Sequence, residues 1–418
     1  ASTVPIIVLG VIIVAKISGP ISERQQRSLD SINRIFRENL TGVRVIRSFN
    51  NDSYESERFD KENTFFTGQS RRLFKLVSAT DPIFFFLMNL AGLGIYLAAA
   101  VMIDNQTLEV GKLVAFMEYL FHAMFSVMLF CMVFMMYPRA NISAKRILAV
   151  LETEGSVQNH PEEQEPSSEH SLVFDHVYFA YPDGEEAVLK DISFTARAGE
   201  TVAFIGSTGS GKSTLIHLIP RFYDVSAGQI RLDGQDISRM DLAVLRDKIG
   251  FVPQKANLFS GTIADNIRFG KPGATMEEVI HAAKTAQAYD FIMKKPLQFE
   301  EPITEGATNV SGGQKQRLSI ARAIIRKPEV YIYDDSFSAL DFQTDARLRR
   351  ALKKEITGAI VLIVAQRVST IMDADQIIVL NEGKIAGRGI HRELLKTCPL
   401  YHEIAASQLS EEELQYEV

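Results

Sequence analysis

Cysteine is nearly absent: the 418 residues hold two, Cys131 and Cys398, far apart in the chain. Such a pair builds no disulfide framework and no thiolate metal site. The polar parts are therefore expected to work in a reducing compartment. Positive charge is not in excess either. A formal net charge of −6 leaves no footprint for DNA or RNA, so no nucleic acid is expected as a partner. The chain also lacks an initiating methionine and a basic stretch ahead of its first apolar run. A secretory leader needs that basic stretch, so the start reads as a cut, with residues expected before Ala1. Charge is missing from Val4–Ala15 and from Pro82–Ile103. In Leu113–Pro138 the only acid or histidine side chains are Glu118 and His122.

What is present is Gly206-Ser207-Thr208-Gly209-Ser210-Gly211-Lys212-Ser213-Thr214, which fits G-x-x-x-x-G-K-[ST], the phosphate-binding P-loop. The apolar run Thr201–Ile205 precedes it as a buried strand. Leu215–Ile219 follows as the first turns of a helix. The glycines let successive backbone N–H groups turn inward around a phosphate, and the helix start adds partial positive charge. Lys212 is placed to reach the β- and γ-phosphates, and the Ser213 hydroxyl to ligate Mg²⁺. The expectation is a bound nucleoside triphosphate.

Crossing a bilayer takes about 20 apolar residues. Pro82–Ile103 and Leu113–Pro138 clear that length, and the short polar segment Asp104–Lys112 makes them a transmembrane hairpin. Val4–Ala15 reads as the second half of a third span. The Arg-rich segment Lys16–Thr80 carries Ile32, Ile35, Phe36, Leu40 and Val43 at helical spacing. Basic loops favour the cytoplasmic side. The segment reads as two helices running past the membrane, with a turn near Asn39–Arg47. Glu118 has two readings, a contact to a cationic substrate or proton, and a wet carboxylate near the outer interface.

Residues 152–170, with Pro161-Glu162-Glu163-Gln164-Glu165-Pro166, read as an acidic, flexible, solvated linker. It separates a partial membrane domain (1–151) from a soluble domain (171–407), which an acidic tail (408–418) follows. The soluble domain alternates strands and helices after an early antiparallel part. Its strand Val330–Tyr333 ends in Asp334-Asp335, the Walker B position that holds Mg²⁺ beside a P-loop. The strand Ala359–Ala365 ends at Gln366. Sites in such sheets lie off the carboxyl ends of the strands, so Asp334, Asp335 and Gln366 are expected to face the P-loop.

Between P-loop and Walker B lies Val310-Ser311-Gly312-Gly313-Gln314-Lys315-Gln316-Arg317. With this segment the whole chain resembles an ATP-binding cassette exporter. Ser311, Gly312, Gly313 and Gln314 resemble the family signature. Gln254 resembles the Q-loop residue, Tyr181 the aromatic that stacks on adenine, and Ser338–Asp341 the D-loop. The resemblance implies an α/β P-loop nucleotide-binding domain with antiparallel β and helical subdomains. Ahead of it would stand the last three helices of a six-helix membrane domain. ATP and Mg²⁺ would be the cofactors, with Ser213, Gln254 and Asp334 toward the metal. The turn near Asn39–Arg47 would dock on the opposite subunit. It also implies an integral protein of the plasma (inner) membrane, in contact with the lipid bilayer, with the nucleotide domain in the cytoplasm. The signature of each subunit would close the P-loop of the other, so Ser311–Gln314 would serve a partner's nucleotide.

Two positions depart from the family. Its Walker B usually ends Asp-Glu, whereas here Asp335 is one methylene shorter and falls short by about 1.5 Å. Its usual histidine is here Gln366, which hydrogen-bonds but carries neither charge nor proton. Beside an intact P-loop and signature, these changes imply a slow, degenerate site. That pattern resembles one subunit of a heterodimeric multidrug exporter of small hydrophobic substrates. The alternatives are a homodimeric lipid or peptide exporter and a soluble cassette ATPase.

Overall fold

A computed structural model describes residues 3–159, 161–162, 170–182, 184 and 186–409. Within it, the side chains of 3–12, 15, 81, 84, 124, 127–128, 130–132, 134–135 and 137–139 lie outside the description. The chain divides into two units, Ala1–Glu154 and Gly155–Val418.

The first unit is helical: α1 (Thr3–Ser48), α2 (Asp52–Ser78), α3 (Thr80–Asp104) and α4 (Val110–Leu151). Helices α1 and α2 form an antiparallel pair. Gln25 donates to Ser70 Oγ at 2.9 Å, Ser28 to Glu62 at 3.3 Å, and Phe36 meets Phe59 edge-on at 5.1 Å. Ser28, Ile32 and Ile35 are buried at spacings of four and three residues, one helix face. Phe36, Leu40 and Val43, expected on that stripe, are exposed. The turn expected near Asn39–Arg47 is not there. Helix α1 continues through those residues, and the chain reverses at Phe49–Asn51. Gly42 alone costs a helix only about 1 kcal/mol. Asn50, by contrast, takes a left-handed φ of 54°, which an Asn tolerates. The connection between α3 and α4 falls where Asp104–Lys112 placed it. Among the described residues one stretch, Phe85–Asp104, is long and apolar enough to cross a membrane, with mean hydropathy 2.0. Val4–Ala15 and much of Leu113–Pro138 involve side chains outside the description. Phe85, Phe86, Leu90, Leu93 and Leu97 of α3 are exposed, an apolar surface suited to lipid rather than water.

The second unit opens with β1 (Ser171–Phe179), β2 (Leu189–Arg197), β3 (Thr201–Gly206), α5 (Lys212–Leu218), β4 (Ala227–Leu232), β5 (Gln235–Asp236), α6 (Leu242–Asp247) and β6 (Ile249–Val252). A largely helical segment follows: β7 (Gly261–Thr262), α7 (Ile263–Arg268), α8 (Met276–Thr285), α9 (Tyr289–Met293), β8 (Pro302–Ile303) and α10 (Gly312–Arg326). The remainder is β9 (Val330–Asp334), α11 (Phe342–Glu355), β10 (Ile360–Val364), β11 (Gln376–Asn381), β12 (Lys384–Gly389), α12 (His391–Thr397) and α13 (Pro399–Ala406).

Six strands form one sheet in the order β12-β11-β3-β10-β9-β6, parallel except for β12. An antiparallel sheet, β2-β1-β4-β5, lies against it. The strand alternation sends every second residue into one of two cores. Val202, Phe204, Leu362, Val364 and Ile378 face the antiparallel sheet and α5. Ala203, Ile205, Ile363, Ile377 and Val379 face the helical segment and the C-terminal helices. Both faces are covered, which is why these strands read as continuous apolar runs rather than alternating ones.

Two boundaries expected from composition move. Part of the 152–170 linker is docked on the second unit. Asn159 donates to Asp241 at 2.9 Å and accepts from Leu242 N, and Glu162 is bonded by both main chain and side chain to Arg239. A run of polar residues satisfied by specific partners is not solvated merely because it is polar. The acidic tail does not begin at 408. Gln408 is hydrogen-bonded and Leu409 packs on the core, while 410–418 lie outside the described residues. Cys398 is a free, buried thiol.

Leu362 is wholly buried at the centre of β10. Leu362→Ala is expected to destabilise the second unit by about 2–5 kcal/mol, read from its chemical-denaturation midpoint. A loss under about 1 kcal/mol would place β10 outside the core.

Candidate nucleotide site

Three parallel strands end side by side: β3 at Gly206, β10 at Val364 and β9 at Asp334. Val364 pairs with both Phe204 and Asp334. Beyond the strand ends, Ala365 N–H donates to Phe204 O at 3.1 Å and Asp335 N–H to Val364 O at 2.9 Å. This register brings Asp334, Asp335 and Gln366 to the mouth of the P-loop. Asp335 leaves its strand with a left-handed φ of 46°, a conformation that Asp adopts more readily than most residues. Its carbonyl accepts from Ser338 Oγ at 2.9 Å.

The P-loop borders a cleft of about 730 Å³. Gly206 to Gly209 and Gly211 to Thr214 line it, together with Gln254, Asp334, Asp335 and Gln366. Gly211 sits at φ 98° as the N-cap of α5, where a Cβ would press on Leu189 and the Val188 carbonyl. Only glycine fits that position without strain. Ser210, expected with the phosphate contacts, is not in the lining. It is 2% exposed, with its hydroxyl accepting from Lys212 Nζ at 3.3 Å and its carbonyl from Gly383 N. Its side chain braces the loop from behind.

Lys212 Nζ donates to Gly206 O at 2.8 Å and Ser207 O at 2.7 Å, inside the loop its own backbone forms. Burial pushes its pKa down, against the pull of Asp335 and Asp334. Ser213 Oγ donates to Asp334 Oδ1 at 3.1 Å. Burial raises the Asp334 carboxyl, opposed by the Ser213 hydrogen bond and by His217. Ser213 and Asp334 present hard oxygen donors, with the Gln254 amide on the same cleft. That set suits a small divalent cation carried by phosphates.

Asp335 Oδ2 accepts from two amides, Gln366 Nε2 at 2.9 Å and Gln254 Nε2 at 3.3 Å. Burial raises its carboxyl too, with the Gln254 hydrogen bond opposing. The three residues read from sequence as Q-loop, Walker B end and histidine replacement therefore meet at one oxygen atom.

One expected residue stands elsewhere. Tyr181 is not among the cleft-lining residues. Its hydroxyl shares a hydrogen bond with Thr214 Oγ1 at 3.0 Å, and its ring packs edge-on against Phe179 and Tyr223. Ser311 to Gln314, expected at a partner's nucleotide, are not among the residues lining this cleft. Ser311 caps α10, accepting from Gln314 N at 3.3 Å, while Gln314 Oε1 accepts from Ser311 N at 3.0 Å. This reciprocal capping box leaves the start of a 15-residue helix facing outward.

Sequence reasoning missed His217 and α13. His217 Nε2 lies 3.8 Å from Asp334 Oδ2, its ring between Phe222 and Phe251. The signal was the four-residue step from Ser213 along one helix face. Glu403, Ser407 and Gln408 line the far wall of the cleft. No local pattern in the sequence marks them.

The comparisons with known proteins agree with this geometry. The family described as ABC transporter matches residues 189–338, and the ABC transporter transmembrane region matches residues 1–128. The uncharacterized ABC transporter ATP-binding protein YfiB of Bacillus subtilis is 40% identical over 410 residues, covering 98% of this chain and 71% of the relative. An ATP-dependent lipid A-core flippase of Syntrophus aciditrophicus is 33% identical over 399 residues, 95% of this chain and 66% of that protein. A solved structure of a bacterial Atm1-family ABC exporter with ATP bound superposes with a TM-score of 0.87 at 29% identity, over 98% of this chain and 72% of its own. With a P-loop opposite a buried Walker B acid and membrane helices ahead of them, the chain belongs to the ABC transporters, as an exporter half-transporter whose ATPase domain couples ATP hydrolysis to transport.

Proposed function

We infer that this chain is the slow-site subunit of a heterodimeric exporter. Its cleft binds ATP with Mg²⁺ and holds it, and its Ser311–Gln314 segment completes the active site on the partner's P-loop. The observation that carries this reading is the double engagement of Asp335 Oδ2 by Gln366 and Gln254. A residue that polarises an attacking water needs a free acceptor oxygen at the right reach. Asp335 is one methylene short, about 1.5 Å, and its Oδ2 already accepts from two amides. Misplacement by about 1 Å costs on the order of 100-fold in rate. The Gln366 amide steadies the carboxylate without adding charge or proton transfer. When bound, Mg²⁺ neutralises phosphate charge. Ser213 and Asp334, with Gln254 on the same cleft, would hold it, and Lys212 would supply a cation at the β- and γ-phosphates.

The trans role of the signature is supported by its absence from this chain's own cleft lining and by its outward-facing helix start, which suits a γ-phosphate. The cargo fits the hydrophobic or amphipathic class, taken from a plasma membrane with the ATPase domain in the cytoplasm. A second reading, lipid export by a homodimer, draws on the relative named a lipid A-core flippase.

Asp335→Glu with Gln366→His, in the assembled transporter whose partner has lost its catalytic acid, is expected to raise ATP turnover about tenfold or more. Unchanged turnover would mean that these residues are not what slows the site. Ser311→Ala is expected to cut the intact transporter's ATPase by more than about tenfold. Nucleotide binding at this chain's own P-loop should stay unaltered. Full ATPase activity in that variant would sink the trans assignment.

A further inference from the structure

The loop that carries Gln366 is held by a residue remote in sequence. Val368 is wholly buried, and its N–H opens the short turn Val368–Thr370, where the preceding Arg367 gives no side-chain cap. A buried N–H needs an acceptor. Gln408 Oε1 supplies it at 2.9 Å. The other end of the same amide, Gln408 Nε2, donates to Gln366 O at 2.8 Å. One side chain therefore clasps the main chain on both sides of Arg367, while the Gln366 side chain reaches Asp335 Oδ2.

Gln408 is itself anchored. Helix α13 buries Tyr401 and Ala405 completely, and the N–H groups of Gln408 and Leu409 both donate to Ala405 O, at 3.0 and 2.9 Å. Leu409 packs on the core beyond. Glu403, Ser407 and Gln408 also line the nucleotide cleft. The end of the nucleotide-binding domain is thus a wall of the site as well as its brace.

We propose that Gln408 is a positioning residue for ATP hydrolysis in this cleft, clasping the 366–368 main chain so that residue 366 meets Asp335 and the γ-phosphate at working distance. Its contacts are to main chain, so the clasp holds whichever side chain stands at 366. The proposal rests on reading the cleft as the ATP site, not on that site being slow. Gln408 borders the cleft, but both of its side-chain hydrogen bonds go to main chain, so its loss is expected to act on the chemical step more than on binding.

The test uses the assembled transporter with the partner's catalytic acid removed, comparing Asp335→Glu/Gln366→His with and without Gln408→Met. Methionine keeps the length and removes both hydrogen bonds. The expected result is a kcat about tenfold lower, with KM for ATP and the affinity for a fluorescent ATP analogue within twofold. Gln408→Glu keeps the acceptor for Val368 N–H and loses the donor, so its kcat should fall between. An unchanged kcat, or kcat and affinity falling together with the melting temperature, overturns the proposal. A wild-type chain that binds no ATP analogue overturns the reading beneath it instead. If the double variant is no faster than wild type, the slow-site reading fails. Gln408→Met is then judged by the same kcat and KM criteria on the unmodified chain.

Discussion

Two main-chain hydrogen bonds just past the strand ends hold the site in register: Asp335 N–H to Val364 O, and Ala365 N–H to Phe204 O. They continue the parallel ladder by one residue on each side of β10. Because the ladder is parallel, three strand ends and the loops that leave them emerge on one edge. Lys212, the Asp334-Asp335 pair and Gln366 come from three segments far apart in the chain, and this edge brings them together. The two covered sheet faces make it rigid, since a slip by one residue would turn every buried side chain toward the wrong core.

On that edge the charges depend on one another. Burial alone would drive Lys212 toward its neutral form and Asp334 and Asp335 toward theirs. Each acid pulls the lysine back, and the lysine pulls back each acid. Hydrogen bonds do the remaining work: Ser213 on Asp334, and Gln254 and Gln366 on Asp335. A buried carboxylate stays charged at modest cost only when its lone pairs are taken up in this way. The same arrangement gives Asp335 Oδ2 two amide donors.

Much of this was legible in the residues. The P-loop, the Walker B acids and Gln366 are local patterns at the ends of apolar runs, and the sheet places them as those runs implied. The departures have separate causes. The turn expected near Asn39–Arg47 gives way to a continuous helix, and Asn50, which tolerates a left-handed φ, stands where the chain reverses. Asn159, Glu162 and Gln408 read as solvated linker and tail because they are polar. Their partners, Asp241, Arg239 and the Gln366 loop, lie far off in sequence.

By itself the sequence determined the chemistry on offer: a triphosphate loop with its lysine and serine, an aspartate where a glutamate is usual, an amide where an imidazole is usual, and a signature at a helix start. Each is a matter of covalent identity over a few residues. The tertiary structure decided which of these meet. It joined Gln254, Asp335 and Gln366 at one oxygen and kept Ser311–Gln314 out of the same cleft. It also brought Gln408 back to clasp the 366–368 main chain. Those are contacts between segments whose proximity comes from strand order and burial, and no local pattern encodes them.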